Sequence, residues 1–394
     1  MPLDILAIQR ALAEDGLDGW LLYDFHGSNP IASSAVGLAG SGRMTTRRWY
    51  YLVPREGTPR ALVHAIERHN LSHLPGECRV YAGRESLARG LDDLLAGMRR
   101  VAMEYSPACA IPYLSRVDAG TVDAVRGRGV EVMSSGDLVQ RFTARWDAPA
   151  YATHRQASDA LYRIKDRAFG EIARRVREAT PVSEMEIQNL MVRWFDEEGL
   201  VSDSTPIVAA QENAGNPHYM PSRESNRPIR ANEVVLLDLW GKRRDPGAVY
   251  ADITWMGFTG ATPPAEVSRA FAAVAAARDA AVSLVQERAR TSRDVRGWEV
   301  DRAARGELDR AGYTAHVLHR TGHSLGEEVH GNGVHMDDYE THDDRRLLPG
   351  TGFTVEPGLY FDAFGVRTEV NVFVTERDAL VTGPSQDRVV ALVG

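Results

Sequence analysis

Cysteine is almost missing from this chain: Cys78 and Cys109 are the only two among 394 residues, too few for a disulfide framework. No apolar run reaches the ~20 residues that a membrane-spanning helix needs. The opening MPLDILAIQRALAEDG has no cationic segment followed by an apolar core, so a cytoplasmic protein with no membrane partner is expected. Positive charge is not in excess either. Lys and Arg total 46 against 54 Asp and Glu, and the net charge of -8 leaves no basic footprint for nucleic acid or an anionic surface. Repeats and low-complexity segments are not evident. What remains is ordinary for a soluble globular protein, 43% hydrophobic and 25% charged, at a length that suits two domains.

Residues 1–150 alternate short helical and strand signals: an opening helix ending near Gly16, then WLLY, YYLVP and RALVHAI, a helix near 85–98, RRVAMEY, a helix near 113–126, and VEVMSS. That alternation predicts a mixed α/β domain. The segment ARWDAPAY, with Pro149, reads as the linker to a second domain over 151–394. There an amphipathic helix is expected over about 155–179. Ser183 and Glu186 form a capping box for the next helix, which stops at Gly199, and further helices cover about 264–289 and 294–311, the last ending at Gly312. Strands take most of the remainder. Helices, a strand pair, helices and then a run of strands suit an α+β domain with helices packed outside a curved antiparallel sheet.

Five residues with metal-ligand chemistry stand in strand-like segments of this second half: Asp238 in VVLLDLW, Asp252 in VYADITW, His323 in RTGHSLG, Glu356 in FTVEPGLYF and Glu369 in VRTEVNVFV. A carboxylate inside a β-branched and aromatic run is costly to bury unless something positive meets it. Four carboxylates and one imidazole therefore ask for a cation. Oxygen-rich ligation with a single nitrogen suits manganese, cobalt, iron or zinc, and the surplus of carboxylates suggests two ions sharing ligands. Asp238 and Asp252 flank GKRRDPGA, whose Pro246 and Gly247 can reverse the chain, so a hairpin would bring the two acids together. The chemistry implied is hydrolysis by a metal-activated water.

The same residues carry a family resemblance. In their order, with His218 in NPHY, His330 in EEVH and Arg367 two residues before Glu369, they resemble the pita-bread metallopeptidases. That group includes methionine aminopeptidase, aminopeptidase P, prolidase and the metal-free creatinase. TVEPGLY and the pattern TGHxxGxxVH are its specific strings, and LLYDFHGSNPIA resembles the smaller domain carried by the prolidase and aminopeptidase P branch. The resemblance implies a C-terminal pita-bread domain behind a smaller creatinase-type α/β domain. It implies that Asp238 chelates one ion, that His323 and Glu356 complete the other, and that Asp252 and Glu369 bridge both, with manganese or cobalt ahead of zinc or iron. Glu356 would also shuttle a proton, and His218 and His330 would be catalytic and substrate-binding. Arg367 would orient ligands or meet substrate oxygens. The implied substrates are short peptides with proline in second position, Xaa-Pro dipeptides first and the longer peptides of aminopeptidase P as the alternative, cleaved by a homodimer. Three departures bear on pocket shape: the turn between Asp238 and Asp252 is a few residues longer than the family's compact link, Asp-x-Gly is here Asp238-Leu239-Trp240 with glycine delayed to Gly241, and Trp255 stands where arginine is common.

Other readings of the same stretch have to be weighed. HRTGH could be a helical pair of zinc ligands, but it lacks the glutamate of HExxH and its glycine argues against a helix, so His319 reads as a hydrogen-bonded structural residue. GHSLG fits the G-x-S-x-G elbow of serine hydrolases, which would make Ser324 a nucleophile. That elbow needs a helix after it and an acid and then a histidine downstream, yet GNG interrupts any helix and no histidine follows His342. The run HMDDYETHDD over 335–344 reads as a solvated polar loop. A non-catalytic binding module is a further alternative, against which the full ligand set counts. For a substrate carboxylate, Arg367, Arg345, Arg346, Arg43, Arg47 and Arg48 are the candidate cations.

Overall fold

The chain folds as two units, the first ending at Thr143 and the second beginning at Ala144, in a computed structural model that describes residues 3–393. The first unit is built on strands β1 Gly19–Asp24, β2 Trp49–Pro54, β3 Arg60–His64, β4 Glu77–Tyr81, β5 Arg100–Met103 and β6 Glu131–Ser134, in spatial order β4-β3-β2-β1-β5-β6. β2 runs antiparallel to both neighbours and the other pairings are parallel. Helices α1 Ile5–Glu14, α2 Pro30–Ala35, α3 Arg84–Leu94, α4 Ala119–Arg126 and α5 Gly136–Thr143 complete it. Both faces of the sheet are covered, so the central strands read as continuous apolar runs: Trp20 and Leu22 enter one core, Leu21 and Tyr23 the other. The strand at 77–81 was not foreseen, because four of its five residues are exposed at the sheet edge and show no apolar pattern. The helix expected from about 113 starts only at Ala119, where the Asp118 carboxylate accepts the Thr121 N–H at 2.8 Å and caps it.

Helix α6 Ala148–Arg177 lies almost at the start of the second unit. Pro149, read above as part of a linker, sits instead in the first turn of this helix, behind the Asp147 cap that accepts the Ala150 N–H at 2.8 Å. α7 Glu184–Glu197 opens on the Ser183/Glu186 capping box, and Gly199 at φ 70° closes the segment. After β7 Leu200–Val201 and β8 Ile207–Ala210 come β9 Val234–Arg243 and β10 Ala251–Phe258, an antiparallel hairpin, then helices α8 Ala265–Arg290 and α9 Gly297–Arg310. The remaining strands are β11 Ser324–Leu325, β12 Gly352–Val355, β13 Gly358–Tyr360, β14 Gly365–Arg367, β15 Val370–Val374, β16 Ala379–Val381 and β17 Val390–Ala391. β7 and β8 pair with β9, β17 lies along β10, β11-β12-β15-β16 form a second antiparallel sheet, and β13-β14 a separate hairpin.

The β9-β10 hairpin is apolar on both faces. Leu237, Leu239 and Ile253 pack with α6 and α7, while Leu236, Met256 and Phe258 pack with α8 and the second sheet. Each such buried aliphatic or aromatic side chain contributes roughly 1.5–3 kcal/mol. This sandwiching holds the hairpin rigidly, and its inner face is where the acids stand. Among the described residues no helix is long and apolar enough to cross a membrane.

Candidate metal centre

Side chains alternate along a strand, so Asp238 shares the inner face of β9 with Leu236 and Trp240. The register Thr254↔Asp238 and Asp252↔Trp240 puts Asp252 on that same face. The other three acids and bases arrive at the ends of short strands: Glu369 between β14 and β15, Glu356 between β12 and β13, and His323 just before β11. One ligand atom each from Asp252, His323 and Glu369 lies within 4.8 Å of the other two, and all three residues are buried. His323 Nε2 is 3.6 Å from Asp252 Oδ2 and 3.4 Å from Glu356 Oε1. Arg367 donates from Nη2 to Asp238 Oδ2 and from Nε to Thr254 Oγ1 at 3.0 Å, and Thr254 Oγ1 in turn donates to Glu369 Oε2 at 2.9 Å. The structure thus gathers all five sequence-expected ligands, Asp238 through Arg367 and the rest by direct approach.

The polarity of these contacts fits a cation. His323 Nδ1 faces the Ser324 carbonyl at 3.2 Å, which can only accept, so Nδ1 carries the proton and the Nε2 lone pair is turned towards carboxylate oxygens. Acceptor facing acceptor is repulsive unless something positive lies between. Asp252 Oδ1 and Glu369 Oε1 are buried without any hydrogen-bond partner. Burial holds the His323 imidazole down to about 3, so the ring is neutral, as a ligand must be. Burial raises Asp238 to about 6 against the pull of Arg367. Burial, and then the neighbouring carboxylates, push Asp252 and Glu369 well above the usual carboxylate range. A divalent ion with oxygen and imidazole preferences would supply the missing charge.

The histidines divide. His330 is exposed but its ring stands edge-on to His323 at 4.2 Å between centroids. His218 is exposed, with its backbone N–H on Asn216 Oδ1 at 3.0 Å. His319 turns Nδ1 to the Arg320 carbonyl and Nε2 to the Tyr360 hydroxyl, both at 2.6 Å, so it is a hydrogen-bonded structural residue. Arg367, expected to orient ligands or to meet substrate oxygens, is buried with its guanidinium on Asp238, Thr254 and Tyr360.

Of the other readings, the one against a serine nucleophile stands and the one of a solvated loop changes. Ser324 is buried, its Oγ accepting the Gly333 N–H at 3.0 Å, and the two-residue β11 that holds it leads into turns instead of a helix. No nucleophile elbow forms. The run 335–344 is not a solvated loop: His335, Asp337 and Asp343 are buried. Asp337 Oδ1 accepts the N–H groups of Tyr339, Glu340 and Thr341, and Asp343 pairs with a buried Arg345 at 2.6 Å, which removes that arginine from the carboxylate candidates. Residues that were missed are Thr254, Thr354 and Tyr360. The available signal was a hydroxyl two positions from an acid, on one face of a strand: Thr254 follows Asp252, and Thr354, which precedes Glu356, donates to Glu356 Oε1 at 3.2 Å and accepts the His323 N–H at 3.0 Å.

A buried acid-rich group around one imidazole stands here in antiparallel sheets backed by helices, the architecture of the pita-bread fold. Residues 155–376, more than half of the chain, match Metallopeptidase family M24, and the chain belongs to that family. It is 30% identical over 175 residues to the "Probable dipeptidase PepE" of Mycobacterium tuberculosis, covering 44% of this chain and 42% of that protein. It is 31% identical over 183 residues to the Xaa-Pro dipeptidase of Lactobacillus helveticus, covering 46% and 45%. The chain thus spans less than half the length of these curated relatives in the matched stretch. The crystal structure of dipeptidase PepE from Mycobacterium ulcerans shares the fold over 100% of both chains, with a TM-score of 0.70 at 22% identity.

Proposed function

We propose that this chain is a dinuclear metal-dependent peptidase that cleaves the Xaa-Pro bond, with Xaa-Pro dipeptides as its preferred substrates. One observation carries the metal reading: Asp252, His323 and Glu369 each bring a ligand atom within 4.8 Å of the other two, and Asp252 Oδ1 and Glu369 Oε1 are buried without a hydrogen-bond partner, while Arg367 is turned to Asp238. Asp238, Asp252, His323, Glu356 and Glu369 would hold the ions, manganese or cobalt before zinc or iron, with Asp252 and Glu369 shared. Ions bound there supply Lewis acidity towards a scissile carbonyl and towards the attacking water. Glu356 is less enclosed than Asp252 or Glu369. It takes the water's proton and delivers it to the proline nitrogen as that nitrogen leaves. His330, with its outer edge in solvent, donates to the substrate carbonyl oxygen as negative charge gathers on it, and His218 is assigned a second such contact from the resemblance. Arg367 keeps Asp238 oriented. Relatives named Xaa-Pro dipeptidase support the choice of bond.

The test compares a Xaa-Pro dipeptide, its proline amide and a Xaa-Pro-Yaa tripeptide, before and after chelation. Chelation should abolish activity and manganese or cobalt should restore it. The dipeptide should show the highest kcat/KM, and amidation should erase its advantage. Equal or faster cleavage of the tripeptide moves the assignment to an aminopeptidase, and full activity in demetallated protein overturns the metal reading.

A further inference from the structure

Strand β10 is paired with β9 along one edge, and on its other edge the backbone groups of Asp252, Thr254, Met256 and Phe258 need partners. Phe258 finds the Leu392 N–H at 2.8 Å, and Thr254 accepts the Glu369 N–H at 3.3 Å. Asp252 and Met256 are met by side chains. Asn371 Oδ1 accepts the Asp252 N–H at 2.9 Å while its Nδ2 donates to the Asp252 carbonyl. Gln386 does the same at Met256, accepting its N–H at 2.9 Å and donating to its carbonyl at 2.7 Å. A primary amide carries the same donor and acceptor as a peptide group, so each side chain acts as one residue of an absent strand. The backbone of β15 cannot do this itself. It lies between β12 and β16, paired with both, and the Asn371 carbonyl already accepts the Thr382 N–H at 2.9 Å.

The two amides are equivalent as structure and different in what they hold. Met256 is a core residue, whereas Asp252 points a carboxylate at the His323 and Glu369 group. Asn371 is also tied to Glu369, two residues before it in the chain. One short segment therefore presents Glu369 and grips the backbone of Asp252, two acids that repel each other in the absence of a cation. We propose that Asn371 is a positioning residue of the metal centre, which sets the Asp252 carboxylate against Glu369 by holding both backbone polar groups of Asp252. This rests on reading Asp252 and Glu369 as ligands.

Equilibrium titration of the full-length apoprotein with manganese(II) tests it, with the melting temperature recorded for each variant. Loss of such a supporting contact typically weakens metal binding ~10-fold to ~100-fold. Asn371→Leu should weaken manganese binding by at least ~10-fold, and Gln386→Met, which removes the equivalent pair of bonds at Met256, by less than ~3-fold at a similar loss of melting temperature. Asn371→Thr keeps an acceptor for the Asp252 N–H on a β-branched side chain and should fall between; it decides the question if Asn371→Leu does not fold. Wild-type affinity in the folded Asn371 variant, or equal weakening by the Gln386 variant, overturns the proposal. Absence of manganese binding by the wild-type protein would instead overturn the metal-centre reading itself.

Discussion

Thr254 holds Glu369 at two points: its Oγ1 donates to Glu369 Oε2 at 2.9 Å and its carbonyl accepts the Glu369 N–H at 3.3 Å. The same hydroxyl accepts from Arg367 Nε at 3.0 Å, so its single proton is directed to the carboxylate and cannot turn to the guanidinium. Thr254→Val keeps shape and strand preference but strands Arg367 Nε and Glu369 Oε2 in a buried site. A loss of about 1–3 kcal/mol of stability is expected in urea unfolding of the chelated protein, with Thr254→Ser recovering most of it. An unfolding midpoint unchanged in Thr254→Val would show that the hydroxyl carries no such load.

Charge at the ligands and the hydroxyl of Ser324 should separate cleanly. Glu369→Gln and Asp252→Asn each remove one negative charge from the group and are expected to lose at least one bound ion, read by elemental analysis after dialysis, together with nearly all turnover. Ser324→Ala should retain both metal content and most activity, because its Oγ serves only the Gly333 N–H at 3.0 Å. A Ser324→Ala protein that keeps its metal but is inactive would revive the serine-hydrolase alternative.

His154 gives the second unit a pH dependence. It is fully buried, with Nδ1 donating to the Tyr250 carbonyl and Nε2 accepting from Thr382 Oγ1, both at 2.7 Å. Burial lowers its imidazole from 6.5 to about 4. The folded chain therefore binds this proton less readily than the unfolded chain. Its stabilising share is complete above 6.5 and is lost as the pH falls from there towards 4. At ~1.4 kcal/mol per unit, this amounts to about 3 kcal/mol. Urea unfolding at pH 7 and pH 4.5 should show a smaller drop for His154→Asn than for the wild type; equal drops would remove His154 as the cause.

Trp240 occupies the position where the family pattern has glycine, on the ligand face of β9 and directly opposite Asp252. Its indole N–H donates to Asp203 Oδ1 at 2.7 Å, which fixes the ring beside the metal centre. On the proposed function, substrate would share that space. Trp240→Gly should change the ratio of kcat/KM between a Xaa-Pro dipeptide with a bulky first residue and one with a small first residue by about tenfold in favour of the bulky one. Metal content should not change. An unaltered ratio would place the indole outside the substrate's reach.

Much of this architecture could be read locally. The Ser183/Glu186 box marks a helix start because both partners lie within one turn, and β9 and β10 announce themselves by apolar residues on both faces broken by a single aspartate each. The order Asp238, Asp252, His323, Glu356, Glu369 named the donor chemistry, since residue type alone decides what an atom can ligate. Pro149 misled because a proline between polar residues suits a linker as well as a first helical turn, and only the Asp147 cap separates the two.

The run 335–344 misled for a different reason. Local composition counts charges but not their partners, and the arginine and backbone groups that neutralise Asp343 and Asp337 are supplied by the folded loop. The sequence by itself determined which atoms could bind a cation and which strands would carry them. Tertiary structure alone decided how close they stand, because that closeness depends on contacts between distant residues: Thr254 with Glu369 across 115 positions and Asn371 with Asp252 across 119. No local pattern encodes such a meeting, since it exists only once both sheets have packed and each strand edge has taken its partner.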